Sequence, residues 1–170
     1  MTFETAKLYK MKNNYDEPKA LSSVAEFHKT FNAPILEKPQ IPSKERAALR
    51  VSLLQEELNE LKEAIENNDF TEVADALCDL QYVLSGAVLE FGLADKFKKL
   101  FDEVQRSNMS KACKTEAEAE ETVRFYNKKD ATEARIEAKG DKFLVFRIPD
   151  DKVLKSVAYS PASLNKIIEE

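Results

Sequence analysis

Glu56-Glu57-Leu58-Asn59-Glu60 and, twelve residues on, Glu72-Val73-Ala74-Asp75 decide how this chain is read. Asp79 follows one helical turn after Asp75. The second cluster opens Ala76-Leu77-Cys78-Asp79-Leu80-Gln81-Tyr82-Val83-Leu84-Ser85-Gly86-Ala87-Val88-Leu89-Glu90-Phe91, a run apolar on nearly every side. A carboxylate persists in such a run only where something positive meets it, because an unpaired buried charge is too unfavourable to keep. Several carboxylates directed at one spot repel each other. A hard divalent cation held by oxygen ligands, Mg²⁺ or Mn²⁺, is the usual remedy.

Helical spacing turns these clusters into faces. Ser43 caps a helix that runs to about Glu66, with an apolar stripe at Leu54, Leu58, Leu61 and Ile65. Glu57 lies about 60° from the centre of that stripe and Glu60 about 120°, on the same flank. Asn67-Asn68 ends this helix, and Asp69-Phe70-Thr71-Glu72 is a capping box that opens the next. On that second helix Glu72, Asp75, Asp79, Tyr82 and Gly86 share a stripe only about 80° wide, opposite Val73, Leu77, Leu80, Leu84 and Val88. Gly92 is placed to cap its C-terminus. Singly, each acid has an ordinary reading: a solvated Glu-rich face, the third residue of a capping box, a charge favoured by the helix dipole. Asp79, two turns in and flanked by Leu77, Cys78 and Leu80, resists those readings best.

The remaining elements frame the pair. Ser23-Val24-Ala25-Glu26 reads as a capping box opening a short helix with Val24, Phe27 and Phe31 on one face. Pro34, Pro39 and Pro42 make the next segment a loop. A fourth helix is expected over about 93–106, with Leu93, Phe97, Leu100 or Phe101, and Val104 facing in. Short links make neighbouring helices antiparallel, a helical-bundle signature. Residues 1–20 are polar and irregular. After Lys111 the character changes. Thr115-Glu116-Ala117-Glu118 opens a charged helix to about Asn127, and period-two patterning about Gly140-Asp141 reads as a β-hairpin, with a last short strand near 152–157. The fold expected is mainly α: a helical domain over 21–111, then a small α+β accessory segment over 112–170 that returns to the bundle at 152–165.

Composition excludes several functions. Of 170 residues, 34% are charged and the net charge is −5, so there is no basic field for nucleic acid. No uncharged apolar run is long enough to span a bilayer, and the N-terminus lacks a signal-peptide core. Cys78, read as a core residue, and Cys113, read as lying in a polar stretch, form no metal-ligand or disulfide framework, which favours a reducing cytoplasm. An acidic protein that handles polyphosphate needs metal ions or a local basic patch. Val104-Gln105-Arg106-Ser107-Asn108-Met109-Ser110-Lys111 offers such a patch in Arg106, Asn108, Ser110 and Lys111; helix C-terminal capping is the alternative reading.

These blocks resemble the EExxE…ExxD signature of the all-α NTP pyrophosphatase superfamily, which includes MazG-like proteins, dimeric dUTPases and phosphoribosyl-ATP pyrophosphohydrolases. Ala74–Val83 with Gly86, followed by Ser107–Lys111, is most similar to a MazG-like, phosphoribosyl-ATP pyrophosphohydrolase-like subgroup, and 152–161 resembles its tail. The resemblance implies Mg²⁺-dependent, or Mn²⁺-dependent, hydrolysis of a nucleoside triphosphate to the monophosphate and pyrophosphate. It implies Glu57, Glu60, Glu72 and Asp75 as metal ligands, and Glu56 or Glu57 as the group that takes the water's proton. Asn108 and Lys111 match substrate-contacting positions, joined by Arg106 and by Asp79 and Tyr82 on the acidic stripe. Val83 stands where the histidine-pathway enzymes carry His, which argues against phosphoribosyl-ATP as substrate. The partners expected are a nucleotide and copies of this chain, as a homodimer or homotetramer; nucleic acid and membrane are not expected. A non-catalytic helical interaction module, or a regulator that binds metal and nucleotide without turnover, are the alternatives.

Overall fold

The computed structural model describes residues 15–170 of the chain, so most of the irregular N-terminal stretch lies outside the described residues. It is mainly helical, with one small antiparallel sheet, and divides into two compact units, one ending at Gly92 and one over Leu93–Glu170. Among the described residues no helix is long and apolar enough to cross a membrane.

The first unit holds α1 (Ala20–Thr30), α2 (Lys44–Glu66) and α3 (Phe70–Glu90). Side-chain chemistry sets its boundaries. The Ser43 hydroxyl accepts the Arg46 N–H at α2's start. At the far end Asn68 takes a left-handed φ of 54°, while the N–H of Asn68 and of Asp69 bond the carbonyls of Ile65 and Ala64. That is a Schellman closure with Asn in the position glycine usually fills. Asp69 then caps α3 through the N–H groups of Thr71 and Glu72. Gly92 ends this run at φ +67°; a Cβ there would meet the Lys38 carbonyl oxygen at 1.9 Å. The proline loop lies that close because Leu36 and Gln40 donate to the carbonyls of Leu89 and Phe91.

The start of α1 differs from expectation. Ser23 already donates its N–H to the Lys19 carbonyl and lies inside the helix, which begins at Ala20 directly after Lys19. Helix-favouring Ala20 and Leu21 form a turn before the expected cap is reached. Val24 and His28, one turn apart, are the buried face; Phe27 and Phe31 stay open. The stripe of α2 also differs. Its inward line passes through Arg50, Leu53, Leu54, Glu57, Leu61 and Ala64, while Leu58 is 51% and Ile65 61% exposed. On α3, Leu77 is 53% exposed, and Cys78, read as a core residue, is exposed beside it.

A buried ion cluster orients the pair. Glu90, at the end of α3, is fully buried and receives hydrogen bonds from Arg46 at 2.9 and 2.5 Å and from Arg50 at 2.8 Å, with a second, shorter contact to Arg50. Since Arg46 and Arg50 begin α2, the two helices are antiparallel. Gly86 belongs to the same cluster: a Cβ there would lie 2.6 Å from Arg50 Nη1 and 3.1 Å from His28 Nε2, while His28 Nδ1 bonds the Pro34 carbonyl at 2.8 Å.

The second unit contains α4 (Phe97–Met109), α5 (Glu116–Asp130), β1 (Ala134–Lys139), β2 (Lys142–Arg147) and α6 (Leu164–Glu169). Helix α4 begins four residues later than expected. Residues 93–96 form a tight turn, with Lys96 and Phe97 bonded to Leu93 and Ala94, before the α-helical Leu100-to-Lys96 bond. Leu100 and Ser107 are its buried positions; Phe101 and Val104 face out. Thr115 caps α5 as expected, accepting the Glu118 N–H. The hairpin pairs Lys139 with Lys142 across Gly140, whose φ of +63° suits the two-residue turn. The expected third strand is only a bridge, Phe146 with Val153. On the same edge of β2, Cys113 bridges Phe143 and is fully buried with Ala119, Val145 and Leu154, so it is a core residue rather than part of a polar stretch.

Glu90→Ala should lower the unfolding free energy by roughly 3 kcal/mol, because it strands Arg50 in the interior; urea unfolding measures this. Burial pushes the Glu90 carboxyl up, but hydrogen bonds from Arg46 and Arg50 outweigh it and hold the carboxyl below its ordinary value. Its stabilisation is therefore complete above the unfolded carboxylate pKa and is lost as pH falls through the folded one. The stability of the unaltered protein should decline more steeply in that acid window than that of Glu90→Gln.

Candidate active site

Glu57 sits on the inward line of α2, and its Oε2 is the buried side-chain oxygen that, among the described residues, has no hydrogen-bond partner. Its carboxyl is pushed up, first by burial and then by the charges of Glu60, Asp79, Glu56 and Asp75. Two of those four come from α3, so the antiparallel pairing brings the clusters into each other's field. Glu72 joins them at the α2–α3 junction, where it lines a cavity of about 440 Å³ with Glu60, Glu63, Ala64, Asn67 and Asp69. The capping-box reading of Glu72 is only half realised. Asp69 caps the helix, but its own N–H goes to the Ala64 carbonyl, so the Glu72 carboxylate makes no return bond.

Among the described residues, none of Glu57, Glu60, Glu72, Asp75 and Asp79 pairs with Lys or Arg. Nor, among those residues, do three acidic, cysteine or histidine side chains converge closely enough to make a ready-formed metal cluster. The donors nevertheless suit a hard cation: all are carboxylates, and one carries a buried oxygen without a partner. Glu56 lies on another side of α2, lining a groove of about 770 Å³ with Ala47, Ala48, Val51, Ser52, Gln55 and Asn59. Asp79 is half-buried. Tyr82 packs edge-on to Phe27, with centroids 5.7 Å apart, and lines a groove of about 460 Å³ with Leu77, Cys78 and Gln81.

The donors expected to meet phosphate belong to the second unit. Lys111 Nζ donates to Asn108 Oδ1 at 2.8 Å. Arg106 is engaged by its surroundings. It grips Glu103 through Nε and Nη2 at 2.7 and 2.9 Å, and reaches Ser160 Oγ at 3.1 Å and the Pro161 carbonyl at 3.0 Å. Those Arg106 bonds, together with the Ser163 N–H, hold the Glu103 carboxyl at about 2. Reading by motif missed this brace, and it missed His28, Arg50 and Glu90 as one buried set.

A sequence model of the phosphoribosyl-ATP pyrophosphohydrolase family matches residues 24–108, half of the chain, taking in both acidic clusters and Asn108. The chain belongs to this family. Membership places it in the MazG-like, all-α NTP pyrophosphatase superfamily and implies pyrophosphohydrolase activity on a nucleotide. An uncharacterized protein of Acanthamoeba polyphaga mimivirus is similar along nearly the whole length. It is 21% identical over 246 aligned positions that cover 92% of this chain and 98% of the relative. That likeness extends past the family match, which ends at residue 108.

Glu57→Gln should raise the melting temperature of the protein in chelator, since it removes a charge opposed by burial and by four neighbouring acids. A gain of about 0.5–2 kcal/mol is the usual scale for relieving a strained functional site, and calorimetry checks it.

Proposed function

We propose that this family member is a Mg²⁺-dependent nucleoside triphosphate pyrophosphohydrolase that converts an NTP or dNTP to the monophosphate and pyrophosphate, clearing the nucleotide pool. The observation that carries the reading is the buried, partnerless Glu57 oxygen among acids that have no basic partner within the described residues. Glu57, Glu60, Glu72 and Asp75 would hold the cation. When bound it supplies charge neutralisation for the triphosphate and polarises the attacked phosphorus. A carboxylate not engaged by the cation, Glu57 or Glu56 beside it, takes the proton of the attacking water. Asn108 and Lys111 donate to phosphate oxygens, and Arg106 supports them by holding the tail. Asp79 and Tyr82 face the nucleotide. Val83, in place of the histidine of the histidine-pathway enzymes, favours a simple triphosphate over phosphoribosyl-ATP.

The catalytic domain in this reading spans 21–111 and the accessory segment 112–170, in a cytoplasmic protein. Leu58, Ile65, Leu77 and Leu84, open in the single chain, support a homodimer or homotetramer. Light scattering at micromolar concentration should give at least twice the chain mass; a monomer would count against the assembly.

A panel of NTPs and dNTPs with Mg²⁺ or Mn²⁺, assayed separately for pyrophosphate and phosphate, tests the function. Pyrophosphate should be released. Asp75→Ala and Glu60→Ala should each lower turnover by at least about a thousandfold while remaining folded, the scale expected when charge stabilisation in the transition state is lost. Binding without turnover by the unaltered protein would make it a regulator instead. Deleting the hairpin 134–148 should change substrate access or assembly and leave some hydrolysis.

A further inference from the structure

The segment 152–161 has no role in the chemistry so far, yet it is fastened beside the end of α4 at two points. Upstream, the Ser156 N–H bonds the Lys111 carbonyl at 3.3 Å, and the Ser156 hydroxyl bonds Glu118. Downstream, the Ser160 N–H bonds Ser110 Oγ at 3.0 Å, while Arg106 grips Ser160 and Pro161. Between these anchors the chain turns, with the Tyr159 N–H on the Ser156 carbonyl. The turn sets the Tyr159 phenol 2.9 Å from the hydroxyl of buried Ser107, and Lys155 Nζ stands 4.4 Å from the centre of the Tyr159 ring.

The chain carries 31 Asp and Glu against 26 Lys and Arg, yet among the described residues neither Lys111 nor Lys155 pairs with a carboxylate. The Tyr159 phenol is held below its ordinary value, first by Ser107 and then by the nearby charges of Lys155 and Lys111. Two ammonium groups that act on one phenol also repel each other. An anion carrying several charges would relieve that repulsion and accept from both ammonium groups.

We propose that Lys155 and Tyr159 of the tail complete, with Asn108 and Lys111 at the end of α4, an anion subsite that receives the phosphate oxygens of a polyphosphate. The identification of that anion as the substrate's pyrophosphate portion rests on the function proposed above. The subsite is thus assembled from segments about 45 residues apart in sequence, which explains why the 106–111 motif alone displays only half of it. Lys155 and Tyr159 are contact residues in this account, and Arg106 is a positioning residue that acts through Ser160 and Pro161.

The test is calorimetric titration of the full chain with inorganic pyrophosphate, with and without Mg²⁺, alongside nucleotide turnover. Lys155→Ala and Tyr159→Phe should each weaken pyrophosphate binding roughly tenfold, the scale of one charge-assisted hydrogen bond. Lys142→Ala, on the hairpin, removes the same charge elsewhere and should leave binding unchanged. Tyr159→Phe keeps the ring under Lys155, so a purely structural tail would show a lower melting temperature with unaltered pyrophosphate affinity. That result would overturn the subsite, as would equal losses in Lys142→Ala or no pyrophosphate binding by the unaltered protein. Tail-dependent pyrophosphate binding without nucleotide turnover would uphold the subsite and reject the proposed function. Turnover that is indifferent to Lys155 and Tyr159, with pyrophosphate binding equally indifferent, would do the reverse.

Discussion

Glu90 receives Arg46 and Arg50 inside the protein, and the geometry of the acidic clusters follows from that contact. The cluster fixes the direction of α2 against α3 and also their register. Glu57 lies eleven residues on from Arg46, and Asp79 lies eleven residues back from Glu90. Both are therefore displaced about 16 Å from the ion cluster, at 1.5 Å per residue, along antiparallel axes. Glu60 and Asp75 follow one turn further on. A slip by one turn would carry Asp79 past Glu57 and disperse the carboxylates. The buried cluster is weak evidence for stability, because replacing such a pair by apolar residues is often harmless. Its importance here lies in the register it specifies.

The two polar centres of the α2–α3 pair obey the same physics with opposite outcomes. At one end a buried carboxylate is satisfied by two guanidinium groups, and its pKa falls. At the other, half-buried Glu57 has one oxygen without a hydrogen-bond partner and the charges of four acids nearby, and its pKa rises. A folded chain tolerates the second arrangement when a ligand supplies the missing charge, which is how sites for metal ions and polyphosphates come to be destabilising when empty. Gly86 shows how tightly the satisfied end is packed, since even a methyl group would press on Arg50 and His28. The Ala side chain would gain about 1 kcal/mol of helix propensity, and overpacking of 1–3 kcal/mol outweighs it.

Local chemistry was legible in the sequence because it acts within a few residues. Ser43, Asp69 and Thr115 cap the helices they precede, Gly92 ends α3, and Gly140 turns the hairpin, each through its own backbone or nearest N–H groups. The acidic stripe of α3 was legible for the same reason. What failed depended on distant partners. The inward line of α2 is set by α3 and not by the positions of its leucines, so Glu57 lies nearer the core than its flanking position implied. The rule that a carboxylate in an apolar run needs a positive partner applied equally to Glu90, between Leu89 and Phe91, but its partners lie 40 and 44 residues away. The binding of Arg106 to Ser160 and the burial of Cys113 against β2 are non-local in the same sense.

In the proposed function the Glu57 Oε2 is left without a hydrogen-bond partner because a divalent cation is its partner. Titration with Mn²⁺, followed by electron paramagnetic resonance in the absence of nucleotide, measures this directly. The account predicts saturable Mn²⁺ binding to the unaltered protein that is lost, or weakened at least about tenfold, in folded Glu57→Gln. Equal Mn²⁺ affinity in the two proteins would contradict it.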